Sequence, residues 1–179
     1  MKRSELEHVI RAAGAIAGAK ELVIIGSQAI LSSYPNAPDE LTISMEADVY
    51  PLNDPEKSDL IDGTIGELSP FHEQFGYYAH GVGPETACLP ADWRERAVKV
   101  TNNNTGGVTG ICPSPVDLAV SKIAAGRDKD FAFVATMLKN NMISFDELER
   151  LISFLPESRN KAVKQNFSIF RNTNIPAEL

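Results

Sequence analysis

Two cysteines, Cys88 and Cys112, are all that 179 residues offer for cross-linking or thiolate–metal chemistry. They stand far apart with no second ligand near either, which excludes a disulfide framework and a cysteine-rich zinc site. Histidine is nearly as scarce. His8, His72 and His80 contain no i, i+4 pair, the spacing that puts two imidazoles on one helix face, so nothing points to zinc. Apolar runs stay well short of the roughly 18 residues that cross a bilayer, and no membrane association is expected. The opening Met1-Lys2-Arg3-Ser4-Glu5 turns acidic after two basic residues, and charge interrupts the apolar stretch behind it. That is no signal peptide, and the expected location is cytoplasmic. Positive charge is in deficit, 17 Lys and Arg against 24 Asp and Glu, for a net charge of −7. A general nucleic-acid coat is thereby excluded, because such binding displaces counterions with clustered cations. A local basic pocket is not. Ser27 lies in Gly-Ser-Gln rather than Gly-x-Ser-x-Gly, so no hydrolase elbow is present.

What is there is an ordinary globular composition, 43% hydrophobic and 23% charged, in a length suited to one compact domain. Ser4-Glu5-Leu6-Glu7 has capping-box spacing, and Leu6, Val9, Ile10, Ala13 and Ala17 recur with helical period, predicting a helix over 4–18. Leu22-Val23-Ile24-Ile25 is a continuous apolar run closed by Gly26, as a buried central strand requires. Two helical turns are expected over 28–34, before Pro35 and Pro38. From Leu41 to Tyr50 the chain alternates. Ile43, Met45, Ala47 and Val49 point one way, Ser44, Glu46, Asp48 and Tyr50 the other, which predicts a strand. A helix is expected over 55–68 and a strand at Tyr77-Tyr78. Strands 96–101 and 108–112 should pair as a hairpin about the Asn102–Gly107 turn. From Ser114-Pro115 onward the pattern is helical, with a break at Gly126 and a capping box at Ser144–Glu147. Helices are predicted over 115–125, 128–139, 145–155 and 158–170.

Two short features carry chemistry. Glu46 and Asp48 share one face of one strand, about 6.5–7 Å apart at Cα. Carboxylates so placed repel unless a cation or water intervenes, and a hard divalent ion suits them. The competing reading is the wet face of an amphipathic strand. Gly26-Ser27 closes the apolar strand and opens a helical segment. There backbone N–H groups form an anion site and the Ser27 hydroxyl can donate to a phosphate. The competing reading is an ordinary turn with a serine cap. Trp93 beside Arg94 and Arg96 reads as a loop anchored to the core, against a stacking platform for a base.

Taken in order, Ile24-Ile25-Gly26-Ser27-Gln28-Ala29-Ile30 and Ser44-Met45-Glu46-Ala47-Asp48-Val49 resemble the signature of the nucleotidyltransferase superfamily, the DNA polymerase beta-like fold. The resemblance implies an α/β (α+β) architecture, a small mixed sheet packed with helices over 1–112 and a helical C-terminal part over 113–179. It implies Glu46 and Asp48 as catalytic, metal-binding acids for Mg²⁺, or Mn²⁺ in its place, and Gly26 and Ser27 as phosphate ligands. The segment Asp117–Asp130 is similar to uncharacterised bacterial relatives and to nucleotidyltransferase toxins of toxin–antitoxin pairs. By that likeness Lys122, Arg127 and Lys129 are nucleotide-binding. Lys122 and Lys129, seven apart, share a face if the helix continues, and Gly126 between them admits a phosphate or another backbone. The competing reading is a charge cluster paired with Asp128 and Asp130.

The implied activity is transfer of a nucleoside monophosphate from a nucleoside triphosphate to a hydroxyl of an unknown acceptor, a protein or an RNA. Three features depart from the superfamily pattern. Glu46 stands where an aspartate is usual, and the gap of 19 positions from Ser27 to Glu46 is long. No third carboxylate is assignable, although Glu85, Asp92 and Glu95 lie in the region. These departures define the alternative, a catalytically silent protein-binding component, as in a toxin–antitoxin pair.

Overall fold

A computed structural model of the chain describes residues 1–155 and 157–174. Its fold is α+β. The first helix, α1 (Arg3–Ala17), ends at Gly18 and leads into strand β1 (Glu21–Ile25). A 3₁₀ segment over Ser27–Ser32 and the short α2 (Asp39–Thr42) precede β2 (Glu46–Pro51). Then come α3 (Ser58–Ile65), α4 (Pro70–Phe75) and β3 (Tyr78–Gly81). The hairpin β4 (Val98–Val100) and β5 (Thr109–Cys112) completes one sheet in the order β3-β2-β1-β5-β4. The helices α5 (Pro115–Ala125), α6 (Asp128–Lys139), α7 (Phe145–Ser153) and α8 (Glu157–Asn174) follow.

The sheet is mixed. β1 runs antiparallel to β2 and parallel to β5, β2 runs parallel to β3, and β4 pairs antiparallel with β5. As the central strand, β1 is covered on both faces. Leu22, Val23 and Ile24 are wholly buried, which is why four apolar residues run without alternation. α1 places Leu6, Val9, Ile10 and Ala13 in the core, at roughly 1.5–3 kcal/mol for each large aliphatic side chain removed from water.

Contacts divide the chain into two compact units. One comprises residues 1–87 and 96–114, and the other comprises residues 88–95 and the chain from Pro115 onward. In the second unit α5 packs with α6, α7 and α8. The Phe145 and Phe167 rings stack at 5.1 Å between centroids, and Phe170 is fully buried. Trp93 is buried there with Arg94 over its ring, in keeping with an anchored loop.

Three expectations need correction. The strand predicted from Leu41 begins only at Glu46, and Ile43 and Met45 are 77% and 53% exposed. Pro38 followed by Asp39 and Glu40 favours a helical turn, and β1 offers no partner beyond Ile25, which stands opposite Asp48. The cap of α1 lies two residues earlier than Ser4. Glu5 Oε2 accepts the Lys2 N–H at 2.6 Å, while Glu7 turns to Arg3, Asn102 and Asn104. The segment after Gly26 is 3₁₀ rather than α-helical. The hairpin, α5, α6 and the Ser144–Glu147 capping box lie where the sequence predicts them.

Candidate functional site

The Gly26 corner is built by its backbone. With φ 70° and ψ −169°, it occupies a region that essentially only glycine enters. There is also no room for a side chain, because a Cβ would lie 2.0 Å from Asp48 Oδ2. The carboxylate of β2 therefore rests directly on the corner at the end of β1. The register Ile25↔Asp48 puts it there. Ser27 opens the 3₁₀ segment beside it, half-buried, and the buried Gln28 donates from Nε2 to Ser44 O at 3.1 Å, tying the corner to the approach of β2.

Along β2, Ala47 and Val49 are wholly buried while Glu46 and Asp48 are partly exposed, so the two acids share the other face. Each meets its register partner on β3. Glu46 stands opposite Tyr78, whose hydroxyl donates to Glu46 Oε2 at 3.1 Å. Asp48 stands opposite His80, with His80 Nδ1 2.9 Å from Asp48 Oδ1. A carboxylate accepts, so that ring nitrogen carries the hydrogen. The Asp48 side chain is 20% exposed and the His80 ring 50%. Burial first, then the Glu46 carboxylate, push the Tyr78 hydroxyl up to about 12, so it remains a donor at every physiological pH.

Tyr78 and His80 were not singled out from the sequence as site residues. The available signal was their own i, i+2 spacing, matching that of Glu46 and Asp48. Glu85, Asp92 and Glu95 are the candidates for a third carboxylate. Asp92 and Glu95 belong to the second unit, and Glu85 is exposed with its carboxylate folded back on Gly83. Among the described residues no group of three or more His, Cys, Asp and Glu side chains is arranged to hold a metal.

The basic segment is organised around Asp130. Its wholly buried carboxylate takes Lys122 Nζ at 3.2 Å and Arg127 Nε at 2.6 Å. The helix does not continue through Gly126, whose φ is +68°, so Lys122 and Lys129 lie on separate helices rather than one face. The space beside Gly126 is filled by Asn166, whose Nδ2 donates to the carbonyls of Ile123 and Ala124 at the end of α5. Lys129 and Asp128 are exposed in the first turn of α6.

A family model described as "Nucleotidyltransferase of unknown function (DUF6036)" matches residues 4–173. The chain belongs to that family. The match runs through the Gly26 corner, the acid pair of β2 and the four C-terminal helices alike. No curated protein and no solved structure gave a significant match. In this nucleotidyltransferase-family chain Cys112 is buried, and burial pushes its thiol up to about 12.

Proposed function

We propose that the chain transfers a nucleoside monophosphate from a nucleoside triphosphate to a hydroxyl acceptor, with Mg²⁺ or Mn²⁺ held by Glu46 and Asp48. One observation carries the reading. The β2 acid pair shares a face, and Asp48 lies on the glycine corner that ends β1, beside Ser27. The donor chemistry fits a hard divalent ion, since Mg²⁺ commonly takes one or two carboxylates and completes its shell with water and phosphates. Such an ion neutralises charge on the triphosphate and on the departing pyrophosphate.

In the transfer the acceptor oxygen bonds to the α-phosphorus as the bond to the bridging oxygen breaks. Pyrophosphate leaves, and the hydroxyl proton passes to solvent. Gly26 and Ser27 orient the phosphates; Glu46 and Asp48 place the ion. Lys122 and Arg127 are engaged by Asp130, so the proposal rests on the first unit alone.

Isothermal titration with each nucleoside triphosphate and Mg²⁺ tests it. Binding is expected for at least one triphosphate and is lost in the Glu46→Ala, Asp48→Ala double variant; absence of heat in the parent chain refutes the proposal. A protein-binding role, as in one component of a toxin–antitoxin pair, is the second reading. It is favoured by the lack, among the described residues, of a third acid gathered with the pair. A stoichiometric protein co-purifying from the native host supports it.

A further inference from the structure

We infer that Tyr78 and His80 are positioning residues, which hold the Glu46 and Asp48 carboxylates in the orientation that receives a divalent ion. The inference rests on the reading of those two acids as ion ligands and adds a second strand to the site. Its basis is a double coincidence of register and bonding. In the parallel pair β2–β3, Glu46 and Asp48 face Tyr78 and His80 respectively, and each partner bonds the acid opposite it, at 3.1 and 2.9 Å. Two carboxylates on one strand face repel and, without external donors, rotate apart. A donor fixed on the neighbouring strand takes one oxygen of each and leaves its plane defined. Hydrogen bonds of this kind, outside a ligand set, commonly change metal affinity by 10–100-fold when removed.

A purely structural role for the pair is a poor fit. β3 is already joined to β2 by its backbone, and Ala79, between the two residues, is wholly buried in the core. The His80 ring is half exposed, so it contributes little to the interior. The two side-chain bonds add little to a sheet already held by its backbone ladder. Their loss should leave the fold standing while disturbing the carboxylates. His8, Phe71 and Phe75 pack around the neighbouring Tyr77, while the Tyr78 ring lies 4.6 Å from that of His72, a contact that Tyr78→Phe keeps.

Mn²⁺ binding to the full chain, read from the electron paramagnetic resonance signal of the free ion, tests the inference without any turnover assay. Tyr78→Phe and His80→Ala are each expected to weaken Mn²⁺ binding about 10-fold or more. His80→Asn, whose amide can donate from the place of Nδ1, should recover most of the loss, and thermal unfolding of all three should stay close to the parent. Parent-like affinity in both Tyr78→Phe and His80→Ala overturns the inference while leaving the acid pair as ligands. Equal losses in His80→Ala and His80→Asn overturn it as well, because the ring rather than its hydrogen bond would then matter. If the parent itself binds no Mn²⁺, or binds it unchanged after Asp48→Ala, the underlying reading of the acids fails, and the inference with it.

Discussion

Gly26 is constrained twice, by its own backbone and by a neighbour. The conformation at φ 70°, ψ −169° costs an alanine about 1–3 kcal/mol. The Cβ would also overlap the Asp48 carboxylate. Gly26→Ala should therefore lower the melting temperature by about 2–4 °C per kcal/mol lost. The two causes separate in a double-mutant cycle: in an Asp48→Ala background the crowding disappears and only the backbone cost remains. Equal losses in both backgrounds would show that Asp48 does not crowd the corner. At this scale the sequence was legible wherever chemistry is local. The apolar run ending in Gly-Ser and the acid-x-acid spacing are both visible within a few residues. Tyr78 and His80 were not, because their role depends on which residue of β2 each one faces. That register is set by strand pairing across 32 positions, and no local pattern encodes it.

Pairs of elements are pinned by two carboxylates that the proposed transfer does not use. Glu7 of α1 accepts from Asn102 and Asn104 in the hairpin turn, and Asp130 of α6 draws in Lys122 of α5. For both groups burial opposes ionisation and is the largest single influence, yet the hydrogen bonds and neighbouring cations together prevail and lower the pKa. A depressed pKa in the folded state gives stability that is complete above the unfolded value and lost as pH falls through the folded one. The urea midpoint should thus hold steady from pH 7 down to about 5. It should fall once the pH passes the ordinary carboxylate values of 4.5 and 3.8. Glu7→Gln and Asp130→Asn should each be less stable than the parent at pH 7, and the gap should narrow as the pH falls below those ordinary values. Parallel curves at every pH would exclude the linkage. Elements with their own stop and start signals were readable from the sequence: α5 behind Pro115, the break at Gly126, α7 behind its capping box. The stretch before β2 was not, because alternation over 41–45 describes a strand only where a partner strand exists, and β1 stops at Ile25.

For the molecule as a whole, the family match covers both units, while the candidate chemistry draws on β1, β2 and β3 alone. Those three strands follow one another in the chain between Glu21 and Gly81. The opposite flank of β1 is closed by β5, which pairs Thr109 with Glu21 after a long excursion. Loop closure over such a distance costs little at equilibrium, about 0.6 kcal/mol per doubling of length. During synthesis it matters more. Every nascent chain passes through a stage in which the most apolar strand is already available but its second neighbour has not been made, and an unpaired strand edge is a template for association with other chains. A chain stopped at Val108 should therefore self-associate, as light scattering at micromolar concentration would show, whereas the complete chain stays dispersed; a monodisperse truncated chain would disprove this. The price of a centrally placed β1 is a brief dependence on whatever shields newborn polypeptides.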